Sequence, residues 1–319
     1  MTPLLILRQL FDFALVVALA PLFAGWVAQC RAWLQNRSAP PLWQPYRVLR
    51  KLFHKDAALA TNASFLFRLA PYVLFGTMAL TAAIVPIFAT DLPLGRAADA
   101  VALVGLFATA RVFIALAAMD IGTAFGSLGA RREMMIGFLA EPALLLVFFN
   151  AFLIAGSTAL PSLVETLSGR ALAIDPSLGF AGIAFVMVLL AENARIPIDN
   201  PATHLELTMI HEAMVLEYSA RHLALIEWAS ALKLFNYACI GFALFLPWGI
   251  APAPVGAGTL GVAALALLAK LVMAGAGLAL IETLSAKLRL FRAPEFLAMA
   301  FLLAVLGLLG LLVHLLLAS

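Results

Sequence analysis

Long apolar segments alternate with short polar ones along almost the whole chain. Eight segments are each long enough to cross the roughly 30 Å hydrocarbon core of a bilayer, which takes about 20 helical residues. Runs such as Leu144–Phe149 do not alternate apolar with polar residues, so the pattern predicts membrane helices and argues against membrane strands. The predicted spans cover about 9–29, 68–90, 98–119, 134–157, 178–195, 222–248, 258–281 and 296–317.

Composition agrees with this pattern. Of the 319 residues, 64% are hydrophobic and only 12% are charged, and the mean hydropathy is +1.05. A soluble domain is about half apolar and about a quarter charged. We therefore predict an all-α integral membrane protein that forms a single polytopic domain over residues 1–319. The first apolar segment has no small-residue cleavage site, so we expect it to be a retained span.

The sequence has no motif for a resident redox or catalytic group. It contains no C-x-x-C, no H-E-x-x-H, no phosphate loop and no dinucleotide fingerprint. Cys30 and Cys239 are far apart and match no metal or cluster spacing. We predict no catalytic residue and no metal site in this chain, and we expect any redox cofactor to be carried by another chain.

Basic residues are distributed unevenly between the loops. The loops 30–67, 120–133, 196–221 and 282–295 hold most of the lysines and arginines, whereas the alternate loops and the termini hold only Arg8, Arg96 and Arg170. Cytoplasmic loops carry the excess of basic residues. This asymmetry explains the formal charge of +3 without a nucleic-acid partner. It predicts both termini outside and the loop 196–221 in the cytoplasm.

The loop 30–67 contains an amphipathic segment at about 43–55. Its apolar residues fall on one helical face and its basic residues largely on the other, as in helices that lie in the membrane interface. Two interpretations are open: a simple lipid anchor, or a docking surface or lid over a cavity. The apolar residues are Val48, Leu49, Leu52 and Phe53, and the basic ones are Arg47, Arg50, Lys51 and Lys55.

Several charged residues fall inside or at the ends of predicted spans. Such a residue costs about 2.5–3.5 kcal/mol at the centre of a span, so it is a functional candidate by default. For Glu141 the alternative is a carboxylate at interface depth, close to Arg131 or Arg132. We expect each of these residues to face the bundle interior or a partner: Arg111, Glu141, Lys233, Lys270 and Glu282.

A glycine-rich loop is predicted between the third and fourth spans, over Met119–Glu133, with Arg131–Glu133 beginning the next helix. Glycine permits tight turns and close backbone approach. An ordinary turn would need fewer glycines, so the alternative is a partner chain pressed against the loop. The candidate partner-contact residues are Asp120, Gly122, Gly126, Gly129, Arg131 and Arg132.

Six of the chain's 17 acidic residues lie between Glu192 and Glu227. Glu192 and Arg195 are three residues apart and could share a helical face. Thr203 and Glu206 have capping-box spacing, which predicts a cytoplasmic acidic helix to about Tyr218. Capping alone, or a solvated loop, would also account for these residues.

The ordered motifs in this stretch resemble a known family. Ala191-Glu192-x-x-Arg195-x-Pro197-x-Asp199-x-Pro201, followed by Glu206-Leu207 and Glu217-Tyr218-Ser219, is similar to the family of the H subunit (also called subunit 1) of NADH-quinone oxidoreductase, respiratory complex I. The loop Asp120–Glu133 and the run Pro201–Glu212 resemble the branch found in membrane-bound group 4 nickel-iron hydrogenases of the formate hydrogenlyase type. Ala202 and His204 stand where complex I members usually have glutamates.

The resemblance implies a membrane subunit in a bacterial inner membrane, beneath a hydrophilic arm. Partners would be hydrogenase-like small and large subunits, a ferredoxin-like subunit and antiporter-like membrane subunits. These partners would carry the iron–sulfur clusters and a nickel–iron centre, and the complex I branch would add a quinone site. The implied coupling residues are Glu141, Glu192, Asp199, Glu206, Glu212, Glu217, Glu227, Lys233 and Lys270, with Arg111, Arg195 and Arg221 as charge partners.

Three other functions remain open at this point. The chain could be the H subunit of complex I itself, or an inert anchor for the hydrophilic arm. It could also be a stand-alone secondary transporter, although transporters of this size usually show an internal repeat and the two halves of this chain show none. An anchor has no use for Glu141, Lys233 and Lys270 within its spans, which favours the coupling subunit.

Overall fold

The structure is a computed structural model that describes residues 3–169, 176–199, 209–251, 255–286, 288 and 292–318. Within these ranges the chain is helical apart from turns, loops and two isolated bridges. The helices are α1 Pro3–Leu34, α2 Gln44–Phe53, α3 Phe65–Ile84, α4 Ala100–Asp120, α5 Ala124–Ala155, α6 Leu160–Ser168, α7 Pro176–Glu192, α8 His211–Val215, α9 Ala220–Phe245, α10 Ala257–Leu284 and α11 Ala293–Ala318, with a single 3-10 turn at Gly95–Ala97.

The predicted fold class is confirmed. In the described ranges, seven helices are long and apolar enough to cross a membrane, namely α1, α3, α4, α5, α9, α10 and α11. The eighth predicted span corresponds to α7, which is apolar but has only 17 residues. The predicted amphipathic segment forms α2, which begins one residue after Trp43.

Several predicted boundaries differ from the structure, and two of these differences have a clear local cause. Helix α5 begins at Ala124, well before the predicted start of the fourth span, because the Thr123 side chain caps it by accepting from the Gly126 N–H. Helix α7 ends at Glu192 instead of about 195. Ala194 there has a φ of 50°, a left-handed conformation that a helix cannot continue through.

The predicted acidic helix is much shorter than expected in the described residues. Helix α8 ends at Val215, so Glu217 and Tyr218 lie beyond it. Tyr218 instead turns into the bundle, where its ring stacks on Phe67 at a centroid distance of 3.9 Å and its hydroxyl donates to the Phe67 carbonyl. The predicted helix start and capping box, Thr203 and Glu206, lie outside the described residues.

The packing of the helices places α4, α5, α7 and α9 around a common centre. Helix α11 packs on α5 and α7, while α3 packs on α4 and α9. Helix α10 is peripheral and meets the bundle mainly through α1. Helix α8 packs against the first turns of α5, so it covers the end of the bundle at which α4 and α7 finish. This arrangement brings charged side chains from four elements together below α8.

Candidate functional site

Arg111 of α4 is the centre of a buried group of charges. Only 4% of the residue is exposed. Its Nε lies 3.3 Å from Oε1 of Glu133, its Nη1 donates to Glu141 and its Nη2 donates to Glu192. One guanidinium thus contacts three carboxylates, because its donors point in three directions in a planar fork.

The sequence of α5 explains how two of these carboxylates reach one arginine. Glu133, Gly137 and Glu141 are spaced four residues apart, so they lie on the same face of the helix. A Cβ atom at Gly137 would overlap the Arg111 guanidinium, so the glycine provides the space that the arginine fills. The third carboxylate, Glu192, comes from the last residue of α7 and is 2% exposed.

Two further side chains complete the group. Nζ of Lys233 on α9 lies 3.0 Å from Oε2 of Glu192. Nδ1 of His211 on α8 lies 3.2 Å from Oε2 of Glu133. We call this set the Arg111 cluster; it consists of Arg111, Glu133, Glu141, Glu192, Lys233 and His211.

The Arg111 cluster contains three carboxylates, one arginine, one lysine and one histidine, so its charge depends on its protons. Buried charges are tolerated only when they are paired and hydrogen-bonded. Arginine keeps its proton in proteins, so Arg111 is a fixed charge around which the carboxylates can exchange theirs. Short contacts between titratable groups are what stepwise proton transfer requires. The cluster contains two such contacts, Lys233 to Glu192 and His211 to Glu133.

His211 lies outside the spanning helices, and its pKa is raised. Burial lowers the pKa of the imidazole, but the carboxylate of Glu133 stabilises the charged form and outweighs burial. The direction of this shift keeps the imidazolium form present to higher pH than in an ordinary histidine.

Arg195 belongs to a second ion group. The prediction that it shares a face with Glu192 is wrong, because α7 has already ended when the chain reaches Arg195. Its Nη1 lies 3.1 Å from Oε1 of Glu282 on α10, while Nη1 of Arg31 on α1 lies 3.5 Å from the other oxygen of Glu282. Glu282 is 3% exposed. This group ties the loop after α7 to α1 and α10.

Asp199 fixes the position of α8. The residue is 3% exposed, and its Oδ2 accepts from the backbone N–H groups of Ile210 at 3.3 Å and His211 at 3.4 Å. Arg132 of α5 donates to the Met209 carbonyl at 2.8 Å. The backbone before α8 is thus bonded from two directions, which places the His211 side chain over Glu133.

The predicted glycine-rich loop is mostly helix. The turn covers only Ile121–Thr123, with Gly122 at a φ of 75°, and Gly126 and Gly129 lie within α5. A Cβ at Gly129 would lie 2.9 Å from the Ile210 carbonyl oxygen, so this glycine admits α8 of the same chain. Asp120 accepts from the Ser64 N–H at 3.0 Å. Close intrachain packing therefore accounts for residues that we assigned to a partner contact; Arg131 is exposed.

The remaining predicted coupling residues lie outside the Arg111 cluster. Glu212, Glu217, Arg221 and Glu227 are exposed, and Glu206 is outside the described residues. Lys270 donates to the backbone carbonyls of Leu246 and Trp248. The structure thus brings together Arg111, Glu141, Glu192 and Lys233 from the predicted set.

A cavity of about 300 Å³ lies beside α2. Arg195 and Glu227 supply its charged groups, and residues of α1, α2 and α9 supply most of its other walls. Leu49 of α2 is buried, while Trp43 and Phe53 are 59% and 43% exposed. The amphipathic helix therefore forms one wall of a cavity, as one of the two sequence interpretations expected.

Sequence reasoning missed three members of these ion groups. Glu133 was noticed only as part of a helix start, and His211 and Arg31 were assigned no role in an ion group. The four-residue spacing of Glu133, Gly137 and Glu141 was a usable signal, since two acids on one face of a span demand a shared cation. For His211 the sequence offers no comparable signal, because its partner is 78 residues away.

Comparison with known proteins defines the family to which this chain belongs. A family model described as NADH dehydrogenase matches residues 8–314, and the chain belongs to this family. This confirms the family that the motifs around Glu192 and Glu217 indicated.

Individual relatives place the chain within the family. It is 35% identical over 246 residues to hydrogenase-4 component C of Escherichia coli (strain K12), which covers 77% of this chain and 76% of that protein. It is 32% identical over 290 residues to formate hydrogenlyase subunit 4 of the same organism, covering 91% and 93%. The H subunit of NADH-quinone oxidoreductase from Streptomyces avermitilis is 25% identical, with 79% of this chain and 59% of that protein covered.

A solved structure supports the fold. A chain of the membrane-bound sulfane sulfur reductase, an archaeal respiratory membrane complex, superposes with a TM-score of 0.82 at 19% identity. The match covers 96% of this chain and 99% of that chain. At this identity the likeness concerns the fold, and it extends over nearly the whole length.

Proposed function

We propose that this chain is the membrane subunit of a group 4 nickel-iron hydrogenase assembly of the formate hydrogenlyase type. In this role it anchors the hydrophilic redox arm on the membrane and couples electron transfer to proton translocation. The observation that carries the proposal is the Arg111 cluster, because an anchor gains nothing from three carboxylates gathered around one buried arginine within its helices. The relatives that share about a third of their residues with this chain are hydrogenase and formate hydrogenlyase subunits.

The coupling depends on charge balance. Arg111 and Lys233 are the basic partners of the carboxylates of Glu133, Glu141 and Glu192 within the spanning helices. A change of charge in the redox arm alters the proton affinities of such carboxylates, since charged neighbours shift their pKa values. Glu141 is the most accessible of the three, with 33% of its side chain exposed. The exposed acids Glu212, Glu217 and Glu227 supply protons at the same end of the bundle.

The redox groups belong to partner subunits in this proposal. The iron–sulfur clusters and the nickel–iron centre lie in hydrogenase-like small and large subunits and in a ferredoxin-like subunit. Antiporter-like membrane subunits receive the charge that leaves the Arg111 cluster. The helices α10 and α11 offer them wide apolar faces, with Leu265, Leu268 and Leu309 all at least half exposed.

The test compares redox turnover with proton movement. In the complete assembly in inverted membrane vesicles, Glu192→Gln and Glu141→Gln should retain hydrogen evolution from reduced methyl viologen but lose most of the proton translocation that accompanies it. Glu295→Gln is the matched control, because Glu295 is an exposed acid in the first turn of α11. Normal proton translocation in both cluster variants would support an inert anchor instead.

The orientation of the bundle is part of the proposal. The α8 end, which carries most of the basic loops, is expected to face the cytoplasm. Ser38 and Thr158 are exposed on loops at the two ends, while Cys30 and Cys239 are both buried. In intact cells an impermeant maleimide should label Thr158→Cys and leave Ser38→Cys unlabelled. The reverse pattern would overturn the orientation.

A further inference from the structure

The two oxygens of Glu133 contact two different kinds of group. Oε1 lies 3.3 Å from Nε of Arg111, a fixed charge on a spanning helix. Oε2 lies 3.2 Å from Nδ1 of His211, a titratable group on the short helix α8. The carboxylate thus joins the interior of the bundle to an element that lies outside it.

Side-chain exposure rises sharply from Arg111 and Glu133 to His211. The side chains of Arg111 and Glu133 are 2% and 3% exposed, whereas that of His211 is 32% exposed. His211 lies on the short helix α8, whereas the other members of the Arg111 cluster lie on the bundle helices α4, α5, α7 and α9. It therefore stands between the solvent and the buried carboxylate of Glu133.

We propose that His211 is the proton-loading residue of the Arg111 cluster, taking protons from the aqueous phase and delivering them to Glu133. This inference rests on the proposed coupling function and adds to it the group through which protons enter. It makes His211 a proton carrier and Glu133 the first acceptor inside the bundle.

The transfer step balances in atoms and charge. Protonated His211 donates from Nδ1–H to Oε2 of Glu133, and an imidazolium and a carboxylate become a neutral imidazole and a carboxylic acid. The proton crosses the 3.2 Å between Nδ1 of His211 and Oε2 of Glu133, and no other bond is broken. Protonated Glu133 no longer balances Arg111, so the guanidinium then depends on Glu141 and Glu192 alone. The neutral imidazole is free to bind the next proton from water.

Charge balance explains why a cation at position 211 suits the cluster. Three carboxylates stand against Arg111 and Lys233, which leaves one negative charge unbalanced. An imidazolium at His211 cancels it. The charged groups that face His211 from the surrounding elements are Glu133 and Arg132 of α5, Lys233 of α9 and Asp199 before α8.

The surroundings of α8 hold this geometry in place. Asp199 accepts from the His211 N–H, and Gly129 leaves room for the Ile210 carbonyl. A Cβ at Gly129 would also lie 3.0 Å from Cβ of Ala213 and 3.1 Å from Cγ of Met214. Gly129→Ala should therefore push α8 away from α5 and lengthen the contact between His211 and Glu133, with the imidazole still present.

The pH dependence has a definite sign. The pKa of His211 is raised above its ordinary value of about 6.5, since the opposing effect of burial is outweighed by Glu133. The imidazolium contact is complete below the ordinary value and is lost as pH rises through the raised value. Proton delivery should fall over the same interval, because the loaded form of His211 disappears there.

The first experiment uses the complete assembly in inverted vesicles with His211→Gln. Glutamine keeps a hydrogen-bond donor for Glu133 but carries no exchangeable charge, so hydrogen evolution should persist while the ratio of protons translocated to hydrogen evolved falls to a low value. That ratio should no longer fall as the pH rises above about 6.5, the ordinary pKa of histidine. His54→Gln is the control, because His54 is exposed and bonds only to its own helix. A wild-type ratio and pH profile in His211→Gln would overturn the inference.

A second experiment needs no turnover and tests the contact itself. Diethylpyrocarbonate modifies neutral imidazole, so the pH dependence of His211 modification, followed by peptide mass spectrometry, reports its pKa in the assembly. Glu133→Gln should lower this pKa, and Gly129→Ala should lower it partly. An unchanged pKa in both variants would disprove the Glu133 link. If instead the pKa shifts as expected but wild-type vesicles translocate no protons, the coupling function itself fails.

Discussion

Two lysines lie within spanning helices, and their side chains contact different kinds of group. Lys233 of α9 places its Nζ 3.0 Å from the carboxylate of Glu192, inside the Arg111 cluster. Lys270 of α10 donates to the backbone carbonyls of Leu246 and Trp248 and lies 5.8 Å from the ring centroid of Phe242. Sequence reasoning put both in one class, as charged residues in spans.

The difference lies in what balances each charge. The last carbonyls of a helix have no partner within it and carry partial negative charge. Lys270 therefore serves as a cap for the end of α9, supplied by a neighbouring helix. Lys233 balances an ionisable group, whose proton affinity it changes. A charge in a span always needs a partner, but only an ionisable partner makes it part of a proton path.

Removing the fixed charge that the carboxylates share should have the largest effect. Arg111→Met removes the one cation that Glu133, Glu141 and Glu192 share, and breaking buried ion pairs in this way costs about 3–5 kcal/mol. We expect loss of folded protein, seen as low yield and a lowered thermal unfolding midpoint in detergent. An unfolding midpoint equal to that of the wild type would show that the carboxylates are neutral, and the comparison of the lysines would lose its basis.

Filling the space beside that arginine should have the next largest effect. Gly137→Ala puts a Cβ into the volume of the guanidinium, and overpacking of this kind costs about 1–3 kcal/mol. Gly105→Ala on α4 is the control, because nothing lies within 4 Å of its Cβ position and alanine favours a helix. Thermal unfolding of the two variants should separate them, with Gly105→Ala at or above the wild type. Equal midpoints would place the guanidinium elsewhere.

Replacing the lysine that pairs with a carboxylate tests the comparison directly. Lys233→Met leaves Glu192 paired with Arg111 only, which should destabilise the protein by about 1–3 kcal/mol. Proton translocation in vesicles should fall several-fold relative to hydrogen evolution, because the proton affinity of Glu192 changes. Unchanged coupling would exclude Lys233 from the proton path.

The smallest effect is expected for the lysine that caps α9. Lys270→Met removes a favourable charge at a helix C-terminus, an interaction of about 0.3–1 kcal/mol. The thermal unfolding midpoint should drop slightly, and the ratio of protons translocated to hydrogen evolved should equal that of the wild type. A strong loss of coupling at normal stability would mean that Lys270 acts in proton transfer, as the family resemblance implied.

The spans could be predicted from the sequence because each depends on local composition. The apolar pattern predicted the seven long apolar helices and the shorter α7 that the described residues form, and α2 followed from the alternation of basic and apolar residues around Leu49. Errors fell at the ends of elements, as at Ala124 and Glu192. There a single cap or a left-handed residue decides the boundary, and composition does not record it.

Partners of the charged residues could not be predicted, because they are distant in the chain. Arg111 and Glu192 are 81 residues apart, and Arg195 and Glu282 are 87 residues apart. Sequence reasoning therefore chose near neighbours, pairing Arg195 with Glu192. Which charge meets which depends on how the helices pack, and the packing is set by small residues such as Gly137 that carry no charge signal of their own.

The pairing of α1 with α10 has a consequence for the synthesis of the protein. Trp26 of α1 donates to the Val272 carbonyl of α10 and fills the space left by Gly275, and these contacts join positions 246 residues apart. At about 5–20 residues per second, translation takes roughly 12–50 s to cover that distance. During this interval the first helix must remain in the bilayer without its neighbour. Its 32 residues make it long enough to do so as an independently inserted segment, so the bundle is completed only when nearly all of the chain has left the ribosome.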